Sequence, residues 1–170
     1  MKQWVLLLAL STCAFDLFGQ SELSRSHSNV YVEAGGNGGF LSGNFERVFY
    51  LAEAFGTSSR VGLATTPSSD KSTFWGVNTP LTQSLLYGNG TQLEIGGGVT
   101  VIWSDGQKAE SDPRTIYTGI FGGRYQNYET GLLFIVSFTP FFLEGEFAYW
   151  YGLSLGMMID RKRQSSFRTN

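Results

Sequence analysis

Thr91–Trp103 reads TQLEIGGGVTVIW, and its alternation leaves the chain little freedom. Successive side chains of a strand point to opposite faces. Gln92, Glu94, Gly96, Gly98 and Thr100 therefore share one face, and Leu93, Ile95, Val99, Val101 and Trp103 share the other. One face is polar or small and carries an acid; the other is wholly apolar. A soluble sheet would turn the acid to water. A barrel in a membrane must turn it inward, since a charged side chain facing lipid costs up to about 2–4 kcal/mol for Arg or Lys at the midplane, and less for an acid.

The same period-two pattern recurs along the chain, and helical periodicity is nearly absent. It predicts eight strands at residues 29–39, 41–50, 55–66, 75–87, 91–103, 115–126, 131–141 and 147–159. In the first, Tyr31, Glu33, Gly35 and Asn37 face inward. The second turns Ser42, Asn44 and Glu46 in, leaving Leu41, Phe45 and Phe49 for lipid. Arg47 then points outward and belongs near the periplasmic interface, where a long cation can reach headgroups or water. Arg60, Gly62 and Ala64 face inward on the third strand, Thr118, Gly122, Arg124 and Gln126 on the sixth, and Gly152, Ser154 and Gly156 on the eighth. Glu33, Glu46, Arg60, Glu94 and Arg124 thus converge as a polar lumen cluster of structural character. Inward glycines are expected to make room for large side chains opposite. Tyr50, Trp75, Tyr87, Trp103, Tyr125 and Trp150 are candidates for interfacial aromatic girdles.

Composition agrees. Charged residues are 15 % of the chain, against about 25 % in soluble domains, and aromatics also reach 15 %. No run after the leader is long and apolar enough for a spanning helix. The links within LAEAF, YGNGT and QNYETG are short, whereas TPSSDKSTF, SDGQKAESDPR and FLEGE are polar and mostly longer; the first hairpin turns within GGNGGF. Short turns at one end and longer loops at the other are the pattern of an outer-membrane barrel. The expected fold is all-β, an eight-stranded antiparallel up-and-down transmembrane β-barrel.

Residues 1–19 read as a signal peptide, with Lys2 at its positive start, Trp4–Leu10 as its apolar core and Gly19 before the cut. Residues 20–28 are then a polar periplasmic lead-in, 29–159 the barrel and 160–170 a basic C-terminal tail. Removal after Gly19 would delete Cys13, the sole cysteine. A competing reading makes Cys13 an acylated lipoprotein cysteine; Thr12 is a poor residue before it.

The blocks VYVEAGGNGGFLSGNFERVF, LEIGGGV, GGRYQNYETGLLFIVSFTPFF and WYGLSLG resemble the small, uncharacterised outer-membrane β-barrel proteins of the Bacteroidetes type, barrels similar to OmpA and OmpX. The resemblance covers most of residues 29–159. It implies an exported eight-stranded barrel and transfers no activity. Two departures stand out. Ile135 occupies a place where that family often has an inward arginine, and GMMID with a basic tail replaces the usual aromatic end.

Chemistry is sparse. The sole histidine, His27, lies among serines in SELSRSHSNV, which reads as a solvated linker rather than the base of a lipid-modifying enzyme. Metal ligands are lacking: one histidine and no regular acid cluster. GGNGGF does not fit the dinucleotide fingerprint, because its third glycine would fall on Leu41. No catalytic, cofactor or metal residue is assigned, and no cofactor. A net charge of −2 leaves no footprint for nucleic acid. The expected partners are outer-membrane lipid and the barrel-assembly machinery, with a monomer as the expected state and the extracellular ligand open. The sequence reading is a non-enzymatic outer-membrane protein with a side-chain-filled lumen, structural or engaged in surface interaction, with a narrow porin-like pore as a variant. The alternative is an exported soluble or lipid-tethered lipocalin-like barrel binding a small apolar ligand.

Overall fold

The computed structural model describes residues 26–67, 75–104, 114–143 and 146–159. The leader, most of the polar lead-in and the basic tail lie outside them. The alternating segments form β1 (Ser26–Gly35), β2 (Leu41–Ala52), β3 (Phe55–Pro67), β4 (Trp75–Asn89), β5 (Thr91–Ser104), β6 (Arg114–Gln126), β7 (Leu132–Leu143) and β8 (Glu146–Met158). Each strand pairs antiparallel with the next, and β1 also pairs with β8, closing the sheet into a barrel. At the seam, Asn29–Gly35 run against Met158–Gly152. Closure removes the unpaired edges that an open sheet would present.

Local chemistry explains the turns. After β6, Asn127 Oδ1 accepts from the amides of Glu129 and Thr130, both at 2.9 Å, and Gly131 takes φ of 79° to send the chain back. That conformation is open to glycine at little steric cost. This turn, Glu53–Ala54 and Gly90 lie at the barrel end that also holds the start of β1 and the end of β8, the turn end. The other end, the loop end, holds the first hairpin and the remaining connections.

The first hairpin differs from the sequence expectation. Strand β1 runs from Ser26 to Gly35 instead of over 29–39. Gly35 and Gly36, at φ of 76° and 68°, end it, and Gly36–Gly38 form a single 3-10 turn. That turn folds into the lumen. Thr100 Oγ1 donates to the Asn37 carbonyl at 2.9 Å, and Asn78 Nδ2 reaches the Gly38 carbonyl at 3.4 Å.

The two sides of the wall separate as alternation requires. Val32, Leu63, Leu81, Leu93, Ile95, Phe121, Leu153 and Leu155 are exposed on the outside. Inside, an eight-stranded barrel is just wide enough for side chains to fill. Gly62 makes room in the expected sense, since a Cβ there would run into the Asn44 and Pro80 side chains. Gly98 and Gly122 act otherwise: a Cβ would strike the Leu81 or Val136 carbonyl of the adjacent strand. Their absent side chains let neighbouring strands pleat tightly.

Candidate functional site: the closed lumen

The lumen is filled in three layers. At its centre the register sets Glu46 directly beside Arg60 on the adjacent strand, and Asn29 beside Glu46 on the other side. Arg124 reaches across from β6 and grips Glu46 with both terminal nitrogens, Nη1 to Oε1 at 2.9 Å and Nη2 to Oε2 at 2.6 Å. Asn29 Nδ2 adds a bond to Oε2 at 2.9 Å. Arg60 Nη2 lies 3.5 Å from Glu46 and donates to Glu94 Oε1 at 2.9 Å. Ser84 Oγ donates to the same Glu94 oxygen at 2.8 Å, and Arg124 Nη1 stands 3.9 Å from Oε2. The result is a ring of alternating charge, Glu46–Arg60–Glu94–Arg124, with every side chain at most 3 % exposed. The Tyr31 ring packs under the Arg60 guanidinium at 5.2 Å.

Such a ring is costly to assemble, because desolvation offsets much of the Coulomb attraction. The forked Arg124–Glu46 pair holds both groups in one orientation, so it fixes which side chains meet across the lumen. Glu33, the fifth member of the sequence cluster, stands apart. It is 1 % exposed and lies beside its register partners Ser42 and Ser154, whose hydroxyls are each 3.4 Å from its carboxylate. Ile135 is buried with Tyr31 and Leu133 in an apolar patch, between Arg124 on β6 and Ser154 on β8.

The turn end is roofed by aromatic rings. His27 stacks on Tyr50 at 5.8 Å between centroids and meets Tyr128 edge-on at 5.9 Å. The Tyr50 and Tyr128 hydroxyls are 2.7 Å apart, and Gln92 Nε2 donates to Tyr50 at 2.6 Å. Beneath this lid Val48, Leu86 and Leu133 are fully buried. Two sequence expectations change here. His27 is not in a solvated linker but is 6 % exposed within β1. Tyr50 is not part of an outer girdle, because its position in β2 has inward parity. The signal was present: His27, Asn29, Tyr31 and Glu33 alternate. Ser26 and Ser28 make the strand look polar on both faces until Arg47 is placed. On the outside Arg47 donates to Ser28 Oγ at 2.7 Å and Ser26 Oγ at 2.9 Å, so those serines line the outer wall.

The loop end is plugged by the 3-10 turn, with Asn37 7 % exposed between β1 and the far wall. Of the other girdle candidates, Tyr87, Trp103, Tyr125 and Trp150 are exposed; the Trp75 side chain lies outside the described residues. One polar group on the outer face escaped sequence reasoning. Gln83 is exposed on β4 among leucines, with its amide tied to the wall: Ser59 Oγ donates to Oε1 and Nε2 donates to Thr57 Oγ1, both at 2.6 Å.

No protein-family model and no curated protein matches the chain. Among solved structures the barrel is similar to the outer membrane protein Ail of Yersinia pestis in a phospholipid bilayer nanodisc. The TM-score is 0.55 and the identity 10 %, over 80 % of this chain and 99 % of that one. It is also similar to the N-terminal β-barrel domain of Pseudomonas aeruginosa OprF, with a TM-score of 0.52 and 13 % identity over 79 % and 96 % of the two chains. The likeness at these identities is one of fold: a closed, antiparallel, eight-stranded barrel.

Proposed function

We propose that the chain is a non-enzymatic protein of a bacterial outer membrane, with its turn end toward the periplasm, its loop end outside and its lumen closed. Its role is structural or one of contact at the cell surface. One observation carries this reading: the inversion of the wall. Leu63 and Leu93 are each 68 % exposed, whereas Glu33, Glu46, Arg60, Glu94 and Arg124 of the lumen cluster are at most 5 % exposed. Monomeric soluble proteins rarely expose a contiguous apolar patch beyond a few hundred Å², and here the apolar surface encircles the molecule. The likeness to an outer-membrane barrel and the block resemblance to small Bacteroidetes barrels support the same location.

A lipocalin-like carrier calls for the reverse distribution, apolar within and charged without. A lipid-modifying enzyme needs a base and a nucleophile held in register, and the sole histidine is taken up in aromatic stacking at the lid. A pore needs a continuous aqueous path, and the lid, the ion-pair ring and the plug lie in series across it. Lipid and the barrel-assembly machinery are the partners this reading implies, and the barrel functions as a monomer.

Membrane fractionation with heated and unheated gels tests the proposal. The protein should partition with outer membrane, and the unboiled form should migrate as a compact species that shifts on boiling. Recovery in the soluble fraction without a mobility shift would overturn it.

A further inference from the structure

Among the described residues the charges inside the lumen do not balance. Glu46, Glu94, Arg60 and Arg124 close a neutral ring, and Glu33 adds one further negative charge at 1 % exposure. Among the described residues no ion pair includes Glu33. Its two oxygens face hydroxyls from two different strands, Ser154 Oγ from Oε1 and Ser42 Oγ from Oε2, each at 3.4 Å. A closed O–H···O bond measures about 2.7–2.8 Å. Ligand oxygens about 3.4 Å apart are instead the spacing of neighbours at right angles around a hard cation with metal–oxygen bonds of about 2.4 Å.

One further oxygen points to the same chamber. Ser137 Oγ is buried, at 3 % residue exposure, with no hydrogen-bond partner. A Cβ on Gly152 would touch both Ser137 Oγ and Glu33 Oε1, the latter at 3.0 Å, so the missing side chain leaves space between those two oxygens. Asn44 Nδ2 donates to Ser42 Oγ at 2.8 Å, which holds that hydroxyl beside Glu33.

We propose that Glu33, with the hydroxyls of Ser42, Ser137 and Ser154, binds a monovalent hard cation of sodium size in the loop-end half of the lumen. Oxygen ligands select alkali and alkaline-earth ions over softer metals. The charge sum selects the monovalent ion: three acids against two arginines leave one negative charge to neutralise. The site lies under the 3-10 plug, where a Cβ on Gly36 would press on the Glu33 carboxylate.

The test is unfolding of the full-length barrel in phosphatidylcholine vesicles at constant ionic strength. Sodium chloride, potassium chloride and calcium chloride are compared with N-methylglucamine chloride. A cation that binds the folded state alone raises the transition midpoint with the logarithm of its concentration once that exceeds the dissociation constant. Sodium should raise it by several degrees, with potassium weaker. Glu33→Gln should abolish the response, and Ser137→Ala should shift it to several-fold higher sodium. The serine variant keeps the test open if Glu33→Gln does not fold. Equal midpoints in all salts would overturn the proposal, as would stabilisation by calcium alone. A midpoint that rises on acidification without cation dependence would also overturn it, showing a proton on Glu33 instead.

Discussion

Arg124 shows how a single side chain governs the barrel interior. Both of its terminal nitrogens are bound to Glu46. Arg124→Ala strands a fully buried carboxylate with only Asn29 and the more distant Arg60 near it. The expected loss is about 3–5 kcal/mol, the cost of breaking a buried pair from one side, measured by urea unfolding in vesicles. Replacing the pair together, Glu46→Leu with Arg124→Met, should recover most of that loss, because Arg60 and Glu94 remain a matched pair. At the lid the stake is smaller. Tyr50→Phe removes a hydroxyl shared with Tyr128 and Gln92, and should cost about 1 kcal/mol in the same assay. A change much larger than that would mean the lid is holding more than its own hydrogen bonds.

Element by element, the wall is a test of parity. Ile95 is 53 % exposed on the outer face of β5. Ile95→Arg should destabilise the barrel by about 2–4 kcal/mol in vesicles, while Thr91→Arg at the strand end should cost about 0–1 kcal/mol. If the two substitutions cost the same, the outer face is not a depth-graded lipid surface. Parity also explains which elements are legible in the amino-acid sequence. Alternation places β2 through β8 within two residues of their ends, because in all of them but β2, where Arg47 lies outward, one face excludes charge. It misplaces β1 by three residues at its start and four at its end. Glycine has no face to report, so the run from Gly35 to Gly39 hid the 3-10 plug. Ser26 and Ser28 lie outward yet are polar, a choice that makes sense only beside Arg47 on the next strand. The inward positions of the charged residues were legible; their pairing was not. Which acid meets which arginine depends on strand register and on reach across the lumen. That is why Glu33 falls outside the ring, and why Asn29 and Ser84 join it unannounced.

For the molecule as a whole, closure is redundant. The lid, the ring and the plug each obstruct the same axis, so removing one leaves two. The folded barrel in a planar bilayer should show no discrete conductance steps, and neither should the double variant His27→Ala with Tyr50→Ala. Steps in the double variant alone would make the aromatic lid the sole barrier and reduce the deeper layers to packing.

The seam between β1 and β8 has a kinetic consequence. Seven residue pairs join Asn29–Gly35 to Met158–Gly152, partners from opposite ends of the sequence. Contacts of such long range repay their loop-closure entropy only when they form. An unfinished cylinder therefore carries two raw margins until its final strand docks. Glu33, flanked by Ser42 on one side and Ser154 on the other, sits on that joint, so the last event of assembly is also the one that buries the unbalanced charge.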